Sequence, residues 1–438
     1  MKYKKELLKI KSLDFIASFG IKKNILNSFF YFGGTLLQFL IAIATQPIYS
    51  KYLELTDFAV MGYFSAIQAL LFPLFNMSLP FYYLAKYWKV KDGETPQQNL
   101  SFILNFLNIS NGIVAIVSFV LVTLYFKIFE VAIPLMPFLF IVITQLFFEK
   151  YKTFYLIESR VQKNGLRFFL INLIQIVLNT GFSLYFVVVL KSGVTGRMTG
   201  ILLAVISTSL FVLFLLIREK KYVFSLKIDL KKVKLALKYS IPLIIGSYAY
   251  FPIGNIDRIF LERLGNTEEY GYYTIGLTIS GFIGTFFLAL YQSFEPDLYR
   301  FISEKKYKQY LSFISIYIII LGILCFSFFM FSELVVSFLT AGRYSHASSY
   351  ANVFIISVFF MSIGGIFEQL FTAFGKTKLV MWRHILVGVF SVLGYYFMIQ
   401  KYQFQGANIT RVLVSVFSVL IGAIMFLIMI KRRKCESN

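Results

Sequence analysis

The sequence contains twelve apolar stretches of roughly 20 residues or more, the length that an α-helix needs to cross a bilayer. Hydrophobic residues make up 58% of the chain and charged residues only 15%, which leaves too few polar side chains to coat a globule in water. Lipid must therefore cover much of the surface, and the long continuous runs favour helices over the short alternating strands of a barrel. The predicted spans are 24–50, 58–85, 100–125, 132–156, 166–190, 196–217, 236–262, 270–294, 309–332, 348–374, 379–399 and 406–430.

The distribution of positive charge predicts the orientation of these spans. With a cytoplasmic N-terminus, nine of the 43 Lys and Arg residues fall on the outer side and the remaining 34 on the inner side. This asymmetry follows the positive-inside rule. We therefore expect a multi-pass protein of the cell (inner or plasma) membrane with both termini cytoplasmic, and we interpret the net charge of +22 as a topology signal rather than as a nucleic-acid interface.

The most hydrophilic internal stretch divides the spans into two sets of six, so any internal repeat would be parallel. Two basic amphipathic segments, 1–23 and 229–238, are typical of anchors to anionic lipid. The predicted organisation is an N-terminal cytoplasmic or interfacial segment (1–23), an N-terminal six-helix bundle (24–217), a cytoplasmic linker with an interfacial helix (218–235), a C-terminal six-helix bundle (236–430) and a basic cytoplasmic tail (431–438).

Catalytic signatures are absent from the sequence. It has no phosphate-binding loop, no Gly-x-Ser-x-Gly and no Asp-x-Asp motif. His346 and His384 have no cysteine or carboxylate at metal-ligand spacing. We therefore expect no enzyme, no metal and no cofactor, which leaves a channel, a scaffold or a secondary transporter.

Short motifs in the second half of the chain resemble those of a known family. The seventh and eighth spans carry the pattern Pro242, Asp257, Arg258, Glu269, Tyr270, Gly271, Tyr273 and Pro296, and later positions add Gly375-Lys376-Thr377-Lys378 and Gly406-Ala407. The first half matches through Pro47, Tyr52, Leu53, Thr56 and Phe58, but has Asn76-Met77-Ser78 where a glycine is usual. The sequence resembles the polysaccharide-repeat flippases, which are the O-antigen and capsule transporters of the MATE-like multidrug/oligosaccharidyl-lipid/polysaccharide exporter superfamily.

The resemblance implies an all-α fold with two six-helix bundles around a central cavity that opens to each side in turn. It also implies a cargo, an undecaprenyl-diphosphate-linked oligosaccharide repeat, moved from the cytoplasmic to the outer leaflet for surface polysaccharide biosynthesis. Coupling to H⁺ or Na⁺, and a partner polymerase of the same pathway, belong to the same expectation.

A diphosphate cannot cross hydrocarbon unaided, so charges inside the spans are the residues to inspect. Asp257 and Arg258 lie near the outer end of the seventh span and Arg411 near the outer end of the twelfth. They either contact diphosphate or a coupling ion, or they have structural roles. In the structural alternative, Asp257 and Arg258 cancel each other or bond a neighbouring helix, and Arg411 snorkels to the interface.

Glu368 and Arg383 flank a short turn at equal spacing, so antiparallel helices bring them to the same depth, roughly 10 Å from the inner surface. We expect them to share a polar layer with Gln369 and His384, as a buried structural pair or as an ion-exchange and diphosphate site. Lys86 is the counterpart in the first half, and snorkelling is its alternative role. The predicted substrate-binding residues are Arg258, Arg383, Arg411 and Lys86, and the predicted ion-coupling residues are Asp257 and Glu368.

Two other functions remain open from the sequence. A drug or cation antiporter of the same superfamily typically uses a carboxylate in the first span, and none lies between Asp14 and Glu54. A membrane-embedded polysaccharide polymerase or acyltransferase normally needs a larger outer loop than any predicted here.

Overall fold

The computed structural model describes residues 30–436, apart from residues 32, 88–94, 226 and 228. Within that part the chain is a succession of helices without strands. The helices are α1 (33–52), α2 (Leu55–Asn76), α3 (Leu79–Tyr87), α4 (Pro96–Phe129), α5 (Phe138–Val161), α6 (Gly165–Leu184, continued by a π-helical turn Tyr185–Val189), α7 (Gly193–Arg218), α8 (Leu230–Glu262), α9 (Thr267–Ser303), α10 (Tyr307–Leu339), α11 (Ala347–Ala373) and α12 (Thr377–Glu436).

These helices make twelve passes within the described residues. Length and apolarity alone select eight of them as membrane-crossing. Three more are α1, which is described from residue 33 onwards, and α5 and α8, which carry internal charges. The twelfth pass comes from α12, which is 60 residues long and reverses direction at Gln403 (φ 50°, ψ −129°).

Glycine makes the reversal inside α12 possible. A Cβ at Gly406 would lie 2.0 Å from the carbonyl oxygen of Met398, and one at Gly394 would lie 2.9 Å from Thr410 Cγ2. Residues at equal distances on either side of the turn therefore touch, which is the geometry of an antiparallel hairpin. The eleventh and twelfth spans are joined with almost no loop.

We call the two ends of the bundle the linker face and the opposite face. The linker face carries residues 219–229 and the C-terminal end of α12, and the opposite face carries the loops after α1, α4, α6, α8 and α10. Helices α1–α7 form the N-lobe and α8–α12 the C-lobe, and the main contacts between the lobes join α2 to α8 and α9. The predicted fold class, two six-helix bundles around a cavity, is confirmed.

Some predicted boundaries differ from the structure. The fourth span begins at Phe138 rather than 132, because Pro134 and Pro137 lie in the loop before α5. Residues 230–235, assigned to the linker, are the first turns of α8 and continue directly into the seventh span. Residues 431–436 of the predicted tail extend α12 as helix, while segment 1–23 and residues 437–438 lie outside the described residues.

The linker is fastened to the N-lobe by α4. Tyr222 is buried and donates its hydroxyl to Asn105 Oδ1 at 2.8 Å, and the Asn105 amide donates to the Val223 carbonyl at 2.9 Å. Ser101 bonds the main chain at Lys221 and Val223. The first residues after α7 therefore belong structurally to the N-lobe.

The second span is broken between α2 and α3. Met77 and Ser78 both adopt left-handed backbone conformations, with φ 49° and 50°. A glycine adopts this conformation freely, whereas an ordinary side chain resists it. Two non-glycine residues therefore adopt the left-handed conformation where the resembling family usually has glycine, at the expense of local backbone strain.

Candidate functional site: a cavity between the lobes

A cavity of about 1490 Å³ lies between the lobes. The N-lobe contributes the second half of α2, Phe81 of α3 and Glu149 of α5, and the C-lobe contributes parts of all its helices. Thr372 and Lys378, at the linker-face ends of α11 and α12, line it. The cavity therefore extends from the linker face towards the middle of the bundle.

The opposite face is closed by contacts between the lobes. Arg343, in the loop after α10, donates from Nη1 to the carbonyls of Ser50 (3.1 Å) and Lys51 (2.6 Å) at the end of α1. These carbonyls have no partner within their helix, and a cation there also complements the helix dipole. Tyr344 donates its hydroxyl to the Leu53 carbonyl at 2.6 Å.

Close backbone packing reinforces this closure. A Cβ at Gly271 of α9 would lie 2.3 Å from the Leu55 carbonyl oxygen, so the starts of α2 and α9 pack without a side chain between them. Nearby, Glu262 accepts the Ala132 backbone N–H at 2.7 Å. The structure is therefore in a state open at the linker face and shut at the opposite face.

Asp257 pairs with Arg411 rather than with its neighbour Arg258. Asp257 is fully buried, and its Oδ2 accepts from Arg411 Nη1 and from the Tyr273 hydroxyl, each at 2.5 Å. Arg411 also lies over the ring of Phe354, 5.3 Å from the centroid. The group joins α8, α9, α11 and α12 inside the C-lobe. Of the predicted structural roles, Asp257 therefore bonds neighbouring helices instead of cancelling Arg258, and Arg411 does not snorkel.

Arg258 instead reaches across to the N-lobe. Its Nη1 donates a short hydrogen bond to Ser65 Oγ of α2, and Ser65 lines the cavity. Arg258 thus lies where the cavity ends and the interlobe contacts begin. It is the predicted cation that links the two lobes directly.

Glu368, Arg383 and His384 form the polar layer that the sequence predicted. Glu368 Oε2 lies 3.3 Å from Arg383 Nη1 and 3.1 Å from His384 Nε2. Arg383 is 4% exposed and also donates to Ser418 through Nε and Nη2. Glu368 and His384 line the cavity, whereas Arg383 lies behind them.

A smaller cavity of about 220 Å³ adjoins the large one inside the C-lobe. The two share Tyr250, Val358 and Met361 as lining residues. Arg411 lines the smaller cavity, so its guanidinium lies one chamber away from the interlobe space.

The wall of the large cavity is not basic, contrary to the sequence-based expectation. Its charged lining residues in the described part of the chain are Glu149, Glu368 and Lys378, with His384 as a titratable fourth. Lys86 is exposed near the linker-face end of α3 and does not line it. Of the predicted cations, Arg258 lies at the closed end of the cavity and Arg383 behind its wall. Arg411 lies in the adjoining chamber and Lys86 near the linker face.

Sequence reasoning missed three charged residues in the middle of α5. Glu149 lines the cavity. Lys150 is 6% exposed, and its Nζ lies 3.6 Å from the centroid of the Phe147 ring without a hydrogen-bond partner. Lys152 lies three residues after Glu149, about one turn along the helix. The signal was present in the sequence, because ionisable residues inside an apolar span indicate function.

The architecture is shared with solved membrane transporters. An inward-facing multidrug resistance MATE family transporter of the MOP superfamily superposes with a TM-score of 0.66 at 14% identity, covering 93% of this chain and 98% of that chain. An outward-facing structure with the same description gives a TM-score of 0.59 at 15% identity, covering 94% and 96%. A MOP superfamily transporter from Pyrococcus furiosus, described as having a binding pocket of reverse polarity, gives 0.62 at 14% identity, covering 94% and 96%.

The fold and the interlobe cavity define the class: a multi-pass membrane protein built like the MATE-type transporters. No curated protein matches the sequence. A family model described as "Polysaccharide biosynthesis protein" matches residues 25–296, which is more than half of the chain. The chain belongs to that polysaccharide biosynthesis family.

Proposed function

We propose that the protein is a flippase that carries an undecaprenyl-diphosphate-linked oligosaccharide repeat from the cytoplasmic to the outer leaflet by alternating access. The carrying observation is the cavity of about 1490 Å³ shared by the two lobes and open at one face. Membership of the polysaccharide biosynthesis family supports a sugar cargo. With cytoplasmic termini, the linker face is the side on which such a precursor is assembled.

The lining suits an oligosaccharide. Polar side chains such as Gln68, Asn255 and Gln369 offer hydrogen-bond donors and acceptors, and Tyr250 and Tyr291 offer rings. Apolar residues complete the wall, as in most small-molecule sites. Several sugars would thus find both stacking surfaces and hydroxyl partners.

The diphosphate belongs at the mouth of the cavity in this state. The polyprenyl chain stays in lipid, so the diphosphate begins at the membrane interface while the sugars enter first. Lys378 lines the mouth on the C-lobe side, and exposed Lys86 ends the N-lobe helix that also contributes Phe81. Arg258 and Arg411 lie deeper, where a phosphate would need them later in the crossing.

Translocation in proteoliposomes tests the proposal. Vesicles carrying a fluorescent undecaprenyl-diphosphate oligosaccharide would be probed from outside with a membrane-impermeant sugar-modifying reagent. We expect the protein to expose the inner-leaflet pool without any change in the mass of the lipid. No exposure, or a product of new mass, would contradict a flippase.

Cavity-blocking variants tie the activity to the site. Gly246 and Gly365 line the cavity, and a Cβ at either meets no atom within 4 Å, so Gly246→Trp and Gly365→Trp fill the space without a backbone clash. We expect both to lose most of the translocation rate. The matched control is Gly181→Trp, at an exposed glycine with equally open surroundings outside the cavity.

Substitution of lysines tests the proposed position of the diphosphate at the mouth of the cavity. Lys86→Gln and Lys378→Gln should each slow translocation, because a charge-assisted contact to phosphate is removed. Lys308→Gln removes an exposed lysine at the start of α10, away from the cavity lining, and should leave the rate unchanged.

A drug or cation antiporter is the second candidate, favoured by the two carboxylates, Glu149 and Glu368, in the cavity wall. Accumulation of a lipophilic cationic dye in the same vesicles, with no movement of the sugar lipid, would support it over the flippase.

A further inference from the structure

Both carboxylates predicted to couple transport to an ion are already neutralised by arginine. Asp257 bonds Arg411 and Tyr273, and Glu368 bonds Arg383 and His384. Arginine keeps its charge in proteins. Protonating either carboxylate would leave a buried guanidinium without its counter-charge, which is strongly unfavourable. Both carboxylates are therefore committed to ion pairs inside the C-lobe.

Glu149 is placed differently. It is the twelfth of the 24 residues of α5, so it lies about 16 Å from the start of the helix, near the middle of the bundle. Its side chain lines the cavity and makes no hydrogen bond or salt bridge with any described residue. Among the described residues, Lys152 is the charged side chain that acts on it electrostatically.

Several charged groups on the helices packed against α5 are engaged, and Lys150 of α5 itself is buried over the Phe147 ring. In the packed helices, Asp57 caps α2, Arg167 bonds Glu219, and Arg197 lies 3.4 Å from the Tyr49 ring centroid. Further charges on α5 and on these helices are Lys150, Glu158 and Arg160 of α5, Lys86 of α3, Lys127 of α4 and Arg218 of α7. The titratable groups of the cavity wall beyond α5 are Tyr250, Tyr291, Tyr317, Glu368, Lys378 and His384.

We propose that Glu149 is the proton-carrying residue of the transport cycle. An ionised carboxylate is stable while the cavity is open to water at the linker face, as in this structure. When the cavity closes, water leaves, and an isolated ionised carboxylate becomes very unfavourable. Glu149 therefore takes a proton from water while the cavity is open at the opposite face and stays neutral while the cavity is closed. When the cavity reopens at the linker face, the O–H bond breaks and the proton passes to water there.

A proton fits this position better than a metal cation. Hard cations are held by several oxygen ligands at once. The described residues contain no group of three or more His, Cys, Asp or Glu side chains that could hold a metal ion, and Lys152 places a positive charge one turn away. A single carboxylate with that neighbour can still take up and release a proton.

The proposal goes beyond the cargo: it assumes alternating access but no particular substrate. Its test therefore uses protein in nanodiscs without any sugar lipid, in sodium-free buffer. Spin labels on Lys127→Cys and Lys401→Cys report the opening of the opposite face, because both lysines are exposed there on different lobes. Cys325 and Cys435 are replaced in this background.

Electron–electron distance measurements from about pH 5 to about pH 9 supply the readout. The ratio of proteins open at the opposite face to proteins open at the linker face should change with pH, by up to about tenfold per pH unit for one proton. The population with the longer distance, which is open at the opposite face, should increase as the pH falls. Glu149→Gln should show long distances at every pH, and Glu149→Asp should keep the response with a displaced midpoint. Glu333→Gln, which removes an exposed carboxylate of α10, should behave as the wild type.

Two results overturn the proposal: a pH response that survives in Glu149→Gln, or a wild-type protein whose distances do not respond to pH. Either result leaves the translocation assay unaffected. Conversely, failure of the sugar lipid to move would contradict the flippase function and leave the proton site standing.

Discussion

Removing either partner of the Asp257–Arg411 pair should lower the free energy of unfolding, and removing both partners together should restore most of it. Asp257 is fully buried and the Arg411 side chain is 15% exposed, so solvent screens little of their interaction. Removing one partner of such a pair leaves an uncompensated buried charge and costs about 3–5 kcal/mol. We expect this range for Arg411→Met, which leaves Asp257 with Tyr273 alone, and for Asp257→Leu.

The double variant Asp257→Leu/Arg411→Met should lie far closer to the wild type. Replacing a buried ion pair with apolar residues of similar size is often neutral, so the two single effects should not add. Unfolding in mixed micelles with increasing SDS, followed by circular dichroism, measures all four proteins. Additive single effects, or single variants as stable as the wild type, would refute this account of the pair.

An exposed pair supplies the control for that cycle. Lys306 and Glu304 form a salt bridge at 2.6 Å near the linker face, with both side chains about half exposed. Glu304→Gln should leave the unfolding curve unchanged, because exposed ion pairs contribute little.

Three further outcomes follow from the interlobe closure and the linker. Arg343→Gln removes charge-assisted hydrogen bonds worth about 1.5–3 kcal/mol each, so the same pair of spin labels should report at least a tenfold larger population open at the opposite face. Gly271→Ala should open that face as well, since its Cβ meets the Leu55 carbonyl, whereas Gly281→Ala enters open space and should change nothing. Tyr222→Phe removes the linker's hydroxyl bonds to α4 and should lower the stability in SDS by about 1–2 kcal/mol; an unchanged curve would contradict the fastening of the linker.

The number of spans was predictable because apolarity reports lipid contact directly, residue by residue. The meeting of Glu368 with Arg383 was predictable for a similar reason: a short turn between antiparallel helices equalises depth, and the pair lies at 3.3 Å. Both inferences use local information. They needed no knowledge of how distant helices pack.

Pairings between distant helices could not be predicted in that way. Asp257 finds Arg411, 154 residues away, because adjacent side chains on a helix point in different directions and Arg258 faces the other lobe. The distribution of charge around the cavity depends on the same packing. The prediction of a basic cavity wall was wrong for this reason. Arg258, Arg383 and Arg411 all bond protein groups at the end of the cavity, behind its wall or in the adjoining chamber.

The fastening of Tyr222 to the N-lobe limits how far the two lobes can separate at the linker face. Only six residues lie between Val223, held against α4, and Leu230, where the first helix of the C-lobe begins. Fully stretched, that tether spans about 25 Å. The covalent linker therefore limits the width of any entrance on its side of this face. A head group broader than that span would have to enter from a side where no linker segment joins the two lobes.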